Sequence, residues 1–80
     1  MSTDQLLQRI TIDPAICHGR PCIRGHRIRV SLILDMLAEG ACTDEVLDTY
    51  PGLVADDIRA CLAYASEMTR ERLVLDRDVA

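Results

Sequence analysis

The sequence predicts a mostly α-helical domain, in which a tri-helical helix-turn-helix core follows a short N-terminal β-strand or hairpin element. After residue 30, apolar residues recur at helical spacing in three blocks, which Gly40 and the pair Pro51 and Gly52 separate. Between residues 10 and 30, apolar and polar residues alternate, and glycines and prolines stand too close together for a helix. A chain of 80 residues has room for one domain only.

The N-terminal part of the chain predicts a leader followed by two or three short strands joined by tight turns. Residues 1–9 are mostly polar, and an incipient helix is expected from Gln5 to Arg9. We therefore expect a leader at 1–9, a single helix-turn-helix domain with N-terminal strands at 10–69, and a C-terminal tail at 70–80.

Each of the three later helices has recognisable end signals. We expect Ser31 to cap the first helix with its hydroxyl, and Gly40 to end that helix. We expect Thr43 to cap the second helix, which Pro51 ends. The third helix is expected to begin near Asp56, and its apolar stripe consists of Ile58, Cys61, Leu62, Ala65 and Met68. A turn containing glycine between two short helices is typical of the helix-turn-helix motif.

Charge is distributed unevenly along the chain. The segment from Arg9 to Arg29 contains five arginines and one acidic residue, Asp13, so it carries +4. Because the whole chain carries −4, the remainder carries −8. The basic third therefore favours an anionic partner, and the acidic remainder favours a basic one. The alternatives are that these arginines keep a small sheet soluble, pair with Asp35 or Glu39, or line a dimer seam.

Nucleic acid is one anionic partner that this charge pattern allows. The expected second helix begins with Thr43, Asp44 and Glu45, and the third begins near Asp56 and Asp57. These acidic helix ends would repel the phosphates of a DNA groove. We therefore predict that DNA contacts come from the strand arginines, with one further arginine early in the third helix: Arg20, Arg24, Arg27, Arg29 and Arg59.

The C-terminal tail contains a short apolar run between charged residues. Leu73, Val74 and Leu75 lie beyond the apolar stripe of the third helix. Exposed apolar residues flanked by charges favour a partner-binding segment. We predict that its contacts are Arg70, Arg72, Leu73, Leu75 and Arg77. The alternative is that Leu73 and Leu75 close a dimer or pack on the strands.

Four potential zinc ligands lie within ten residues of one another: Cys17, His18, Cys22 and His26. Their spacing matches none of the usual zinc motifs, in which the ligands come as two separated pairs. A nucleophilic Cys17 assisted by His18 is a second alternative, but neighbouring residues of an extended strand point to opposite faces. We expect no metal, no cofactor and no catalytic residue, and a protein that is not an enzyme.

Composition also predicts where the protein acts. No stretch approaches the roughly 18 apolar residues that a membrane span needs, and residues 1–9 lack the apolar segment of a signal peptide. We therefore expect a cytoplasmic protein with no membrane partner. Its four cysteines are then expected to be reduced.

A family resemblance covers roughly residues 10–66. Residues 13–25 (Asp-Pro-Ala-Ile-Cys-His-Gly-Arg-Pro-Cys-Ile-Arg-Gly) and 27–30, together with later matches up to the segment at 57–65, resemble the domain of unknown function 433 family. The resemblance implies a helix-turn-helix fold and a VapB-type antitoxin. Such an antitoxin would bind and silence a PIN-like ribonuclease toxin, whose site is rich in acidic metal ligands, and would repress the shared promoter.

The resemblance thus implies two partners, the toxin and double-stranded operator DNA. We also expect a homodimer, because palindromic operators and thin cores both favour two-fold pairing. The alternative function is a dimeric adaptor that never binds DNA.

Three residues depart from the usual pattern of this family. His26 stands where a threonine is usual, and Arg29 replaces a common proline. Val54 stands where a threonine would cap the third helix. That cap must therefore come from Asp56 or Asp57, or be absent.

Overall fold

The computed structural model describes the backbone of residues 1–79 and the side chains of residues 1–70. The predicted fold class is confirmed, because helices dominate the described chain and a small antiparallel sheet lies near the N-terminus. In chain order the elements are α1 (Thr3–Leu7), β1 (Ile10–Thr11), a 3₁₀ turn (Cys17–Gly19), β2 (Cys22–Ile23), β3 (Ile28–Arg29), α2 (Val30–Ala38), α3 (Thr43–Thr49) and α4 (Ala55–Val79).

The three short strands form an antiparallel sheet in the order β1-β2-β3. Ile10 pairs with Ile23, and Ile23 pairs with Ile28. Because directly opposed residues share one face of a sheet, these isoleucines lie on the same side. Ile10 and Ile23 are buried in the core, and Ile28 packs against it. Arg29 pairs with Cys22 and lies on the other side of the sheet.

The core lies between this sheet and helices α2, α3 and α4. Its buried residues are Ile10, Ile23, Val30, Ile33, Val46, Leu53, Ile58, Ala60 and Cys61. Helix α1 packs against α4, and Leu6 is partly buried against the core. None of the helices within residues 1–79 is both long enough and apolar enough to cross a membrane.

Helix α1 begins earlier than the expected Gln5–Arg9, because Ser2 supplies a cap. The Ser2 hydroxyl oxygen accepts a bond from the Gln5 N–H at 3.2 Å, and the Gln5 side chain accepts one from the Ser2 N–H at 2.9 Å. This reciprocal pair is a capping box.

The caps expected for the next two helices are wrong by one or two residues. Helix α2 begins at Val30 with Arg29 as its N-cap, so Ser31 is already helical. Strand β3 runs directly into this helix, which leaves no turn for Ser31 to cap. In α3 the N-cap is Cys42 rather than Thr43, and its N–H donates to Glu45 Oε1 at 3.1 Å.

Helix α4 is capped although Val54 stands in the usual capping position. The helix begins at Ala55, and the Val54 N–H donates to Asp57 Oδ2 at 2.9 Å. Of the two aspartates expected to supply a cap, Asp57 does so. It is buried, with 5% of its surface exposed.

Candidate nucleic-acid interface

Four of the five predicted DNA-contacting arginines belong to the N-terminal sheet unit. Arg20 precedes β2, Arg24 and Arg27 lie in the connection from β2 to β3, and Arg29 ends β3. All four are exposed. Among the side chains of residues 1–70, none of the four has a carboxylate within 4.0 Å. The suggested pairing of these arginines with Asp35 or Glu39 is therefore not found there.

Arg24 is held in place by main-chain carbonyls. Its Nε donates to the Gln8 carbonyl oxygen at 2.8 Å, and its Nη2 donates to that of Ile10 at 3.4 Å. The Arg24 N–H also donates to the Arg9 carbonyl oxygen at 2.7 Å. This arginine therefore ties the hairpin to the end of α1, and its guanidinium has a fixed position.

Arg27 stands in the tight turn of the hairpin. Its φ is +48°, and that of Gly25 is +84°. A left-handed conformation is uncommon for a residue with a side chain. It closes the short connection between β2 and β3 and leaves Arg27 exposed at the end of the sheet.

The remaining arginines whose side chains are described form ion pairs. Arg59 lies 3.8 Å from Asp56 on the same helix, and Arg70 lies 3.4 Å from Glu67. Both side chains are more than half exposed, so these pairs contribute little to stability. Their charges are nevertheless partly compensated, unlike those of the four sheet arginines. The predicted partner residues Arg72, Leu73, Leu75 and Arg77 lie outside the residues whose side chains are described.

Two further basic residues, Arg9 and His26, contribute to this surface. They line a polar cleft of about 370 Å³ with Gln8, Arg24, Gly52, Val54 and Asp57. Arg9 Nη1 donates to Asp57 Oδ1 at 3.1 Å, across 48 positions of sequence. The prediction from sequence did not include either residue. Arg9 begins the basic segment, and His26 departs from the family pattern, but no local pattern reveals that Arg9 meets Asp57, 48 positions away.

The helix-turn-helix unit presents acidic residues instead. Residues 30–58 contain neither lysine nor arginine. The exposed carboxylates of α2, α3 and the turn between them are Asp35, Glu39, Asp44, Glu45 and Asp48. The bond from the Cys42 N–H lowers the pKa of Glu45, which favours its charged form. This face repels phosphate.

A second cleft, of about 340 Å³, lies between α2 and α4 and is mostly apolar. Val30, Leu34, Tyr64, Ala65 and Met68 form its walls, and Arg20 and Pro21 stand beside them with Ser31 and Thr69. Met68 is 60% exposed. The cleft thus adjoins the part of α4 that leads into the C-terminal segment.

The cysteines of the N-terminal unit are not arranged as a metal site. No group of three or more metal-ligating side chains occurs among the described residues. Cys22 is fully buried, and burial, followed by the neighbouring Cys17 thiol, raises the pKa of Cys22. The two histidines are exposed, and His26 lies on the polar cleft.

These features define a class of small proteins: a helix-turn-helix core with an acidic surface, joined to a short sheet whose exposed arginines have no carboxylate partner among the described side chains. The family model described as "Protein of unknown function (DUF433)" matches residues 10–65. The chain belongs to this family.

A solved structure supports the same assignment. The chain is similar to a crystal structure of a DUF433 member protein from Anabaena variabilis ATCC 29413, at 2.00 Å resolution. The two are 38% identical with a TM-score of 0.69, and the match covers 95% of this chain and 73% of the other. A search of curated proteins finds no match.

Proposed function

We propose that this protein is the antitoxin of a type II toxin–antitoxin pair. It binds and neutralises a PIN-like ribonuclease toxin in the cytoplasm, represses its own promoter by binding DNA, and has no enzymatic activity. The observation that carries the DNA-binding part is a group of exposed arginines without carboxylate partners among the side chains of residues 1–70: Arg20, Arg24, Arg27 and Arg29.

The charge distribution supports DNA contact through the sheet rather than through α3. Phosphates are the commonest protein contacts on a DNA duplex, and arginine is well suited to bind them. Helix α3 contains three acidic residues and no basic one, so its insertion into the major groove would bring like charges together. The hairpin arginines avoid this repulsion, and Arg59 at the start of α4 is a weaker contact because Asp56 lies beside it.

The apolar cleft supports the protein-binding part of the proposal. Val30, Leu34, Tyr64 and Met68 offer an apolar surface next to the C-terminal half of α4. The toxin would bind there and to the segment that follows, through Arg70, Arg72, Leu73, Leu75 and Arg77. Arginines of this segment would pair with the acidic metal ligands of the nuclease.

A homodimer is part of the same proposal. An 80-residue domain buries only about 60–65% of its unfolded surface, so a second copy adds stability that the monomer lacks. A two-fold pair would also present two arginine-bearing sheets to the two half-sites of an operator.

Two triple variants with the same loss of charge test the proposal. In the first, the sheet arginines that make no described side-chain hydrogen bond become glutamine: Arg20→Gln, Arg27→Gln and Arg29→Gln. In the second, the C-terminal arginines become glutamine: Arg70→Gln, Arg72→Gln and Arg77→Gln. Gel shift with the DNA upstream of the gene and co-purification with the product of the adjacent gene are the two readouts.

We expect the first variant to lose DNA binding and to retain toxin binding. We expect the second variant to retain DNA binding and to lose toxin binding. Equal effects of both variants on DNA binding would contradict the assignment of the sheet as the DNA contact. An adjacent gene product that binds neither wild type nor variants would contradict the antitoxin role.

One observation favours the alternative, a dimeric adaptor that does not bind DNA. The entire stretch 30–58, which includes the helix-turn-helix, lacks basic residues. In that case the wild-type protein would form a dimer yet fail to shift its upstream DNA even at low salt, where phosphate contacts are strongest.

A further inference from the structure

We infer that the polar cleft between α1, the β2–β3 hairpin and the start of α4 is a binding site for a phosphate group. The ligand class is a phosphate anion, either free in solution or part of a DNA backbone. That the phosphate belongs to DNA rests on the proposed function, whereas the existence of a phosphate site does not. The walls of the cleft bring together Arg9, from the link between α1 and β1, with Arg24 and His26, from the β2–β3 connection.

The Arg24 guanidinium is already positioned to receive an anion. A guanidinium has five N–H donors, and two of those of Arg24 bond the Gln8 and Ile10 carbonyl oxygens. Its other three donors have no acceptor among the described residues. Because the guanidinium is fixed before binding, little conformational freedom is lost when an anion arrives.

Asp57 also lines the cleft, and its negative charge is already satisfied. Arg9 Nη1 donates to its Oδ1, and the Val54 N–H donates to its Oδ2. Only 7% of the Asp57 side chain is exposed, against 34% for Arg9. Arg9 therefore offsets the charge of Asp57, and Arg24 remains as a cation with no carboxylate partner among the side chains of residues 1–70.

The turn before α4 leaves room for a ligand in the cleft. The first turn of α4 contains Asp56 and Asp57, so this helix end adds no net positive charge, and the attraction for an anion comes from the arginines. The His26 ring faces Gly52, where a built Cβ would lie 3.5 Å from Cε1. Gly52 is thus in contact distance of the ring and leaves the cleft open.

A pair of substitutions at Val54 separates anion binding from folding. Val54 is 52% exposed, lies on the cleft wall and precedes the first residue of α4. Aspartate and asparagine are comparable N-cap residues, so Val54→Asp and Val54→Asn both retain the helix. Only Val54→Asp places a negative charge in the cleft. Circular dichroism of both variants checks that they are folded.

The test is a titration with inorganic phosphate at constant ionic strength, with chloride as the replaced anion. The amide N–H of Gly52 and the Nε–H of Arg24 are followed by NMR, and the Gly40 amide serves as an internal reference. We expect saturable shifts of the two cleft signals in the wild type and in Val54→Asn. In Val54→Asp we expect at least about tenfold weaker affinity, because the added carboxylate repels the anion and competes with it for Arg24, an effect about the size of one charge-assisted hydrogen bond. The same three proteins are then titrated with duplex DNA from upstream of the gene.

The outcomes distinguish this inference from the proposed function. If phosphate moves no cleft signal in the wild type, or if Val54→Asp binds phosphate as well as Val54→Asn does, the inference is overturned. If phosphate binds as expected and the duplex does not bind, the result supports a site for free phosphate and contradicts the proposed DNA binding. If both bind and Val54→Asp weakens both, the cleft holds a phosphate of the DNA backbone.

Discussion

At the scale of single residues, Asp57 joins the N-terminal segment to the start of α4. It accepts hydrogen bonds from Arg9 and from the Val54 N–H, and it is the only polar residue that is buried among the described side chains. A buried carboxylate is stable only when its oxygens have partners. One carboxylate, that of Asp57, therefore both caps α4 at Val54 and forms the ion pair with the distant Arg9.

We predict that Asp57→Ala lowers the free energy of unfolding by about 2–3 kcal/mol, because two bonds to a buried charge are lost together. Urea denaturation measures the difference. Asp56→Ala is the matched control, since Asp56 lies 3.9 Å from Arg9 and 3.8 Å from Arg59 with a 36% exposed side chain. We expect it to change stability by less than about 0.5 kcal/mol. Equal effects of the two substitutions would contradict the role given to Asp57.

A second residue-scale prediction concerns pH. Burial, followed by the charge of Asp57, raises the pKa of Cys61 to about 12, from the ordinary value of 9.0. Below pH 9 the Cys61 thiol is neutral in both the folded and the unfolded chain, so pH does not change its contribution to the free energy of unfolding. As pH rises from 9 towards 12, the thiol ionises in the unfolded chain but stays neutral in the folded one, and the free energy of unfolding decreases.

The free energy of unfolding is therefore expected to fall between pH 9 and 12, and to fall less steeply in Cys61→Ala. The slopes, rather than the absolute stabilities, are compared, because the loss of the sulfur also removes core packing. Cys42→Ala serves as the control, since Cys42 is exposed. A slope that Cys61→Ala leaves unchanged would refute this assignment.

At the scale of elements, the helix starts show how far local sequence determines structure. Apolar spacing predicts the three later helices, whereas the caps predicted for α2 and α3 are wrong, because a cap depends on where the preceding segment ends. Strand β3 runs into α2, so Arg29 occupies the cap position and Ser31 does not. At α3, Cys42 takes the cap position that was expected for Thr43.

Val54 provides a test of capping at this scale. Its side chain cannot accept a hydrogen bond, so the start of α4 depends on Asp57 alone for the Val54 N–H. We predict that Val54→Thr raises the free energy of unfolding by about 1 kcal/mol, because a threonine hydroxyl accepts from a free N–H of the first turn. Val54→Ala, which adds no acceptor, should change little. Thermal or urea denaturation measures the free energy of unfolding of both variants. A value for Val54→Thr no higher than that for Val54→Ala would contradict the prediction.

Long-range contacts explain what the sequence could not predict about the candidate site. The arginine-rich segment was visible as a run of charge, and the structure leaves four of its arginines exposed. The polar cleft was not visible, because Arg9 and Asp57 meet across 48 positions. The bonds from Arg24 to the main-chain carbonyls of Gln8 and Ile10 likewise have no signature in the order of residues.

At the scale of the whole molecule, opposite charges occupy different parts of the fold. The sheet and its hairpin carry arginines that have no carboxylate partner among the side chains of residues 1–70, whereas α2, α3 and the turn between them carry exposed carboxylates. Helix α4 belongs to the core through Ile58, Ala60 and Cys61 and continues to Val79. The fold thus offers a basic surface for one partner and a separate helical segment for another.

We predict that removal of residues 70–80 leaves the fold intact and abolishes binding of the toxin. Among the described side chains, the buried core residues lie at or before Cys61. The melting temperature should therefore change little, while co-purification with the adjacent gene product is lost. The triple substitution at Arg20, Arg27 and Arg29 is the control, since it should keep the toxin. A truncated protein that still retains the toxin would contradict the assignment of the C-terminal segment.

The central claim is that the sheet arginines bind phosphate, and the salt dependence of DNA affinity tests it most directly. Each phosphate contact contributes about 0.9 to the slope of log K against log salt concentration. We predict that Arg20→Gln, Arg27→Gln and Arg29→Gln together reduce the magnitude of that slope by about 3 per bound chain. A triple variant with the wild-type affinity and the wild-type slope would contradict the account.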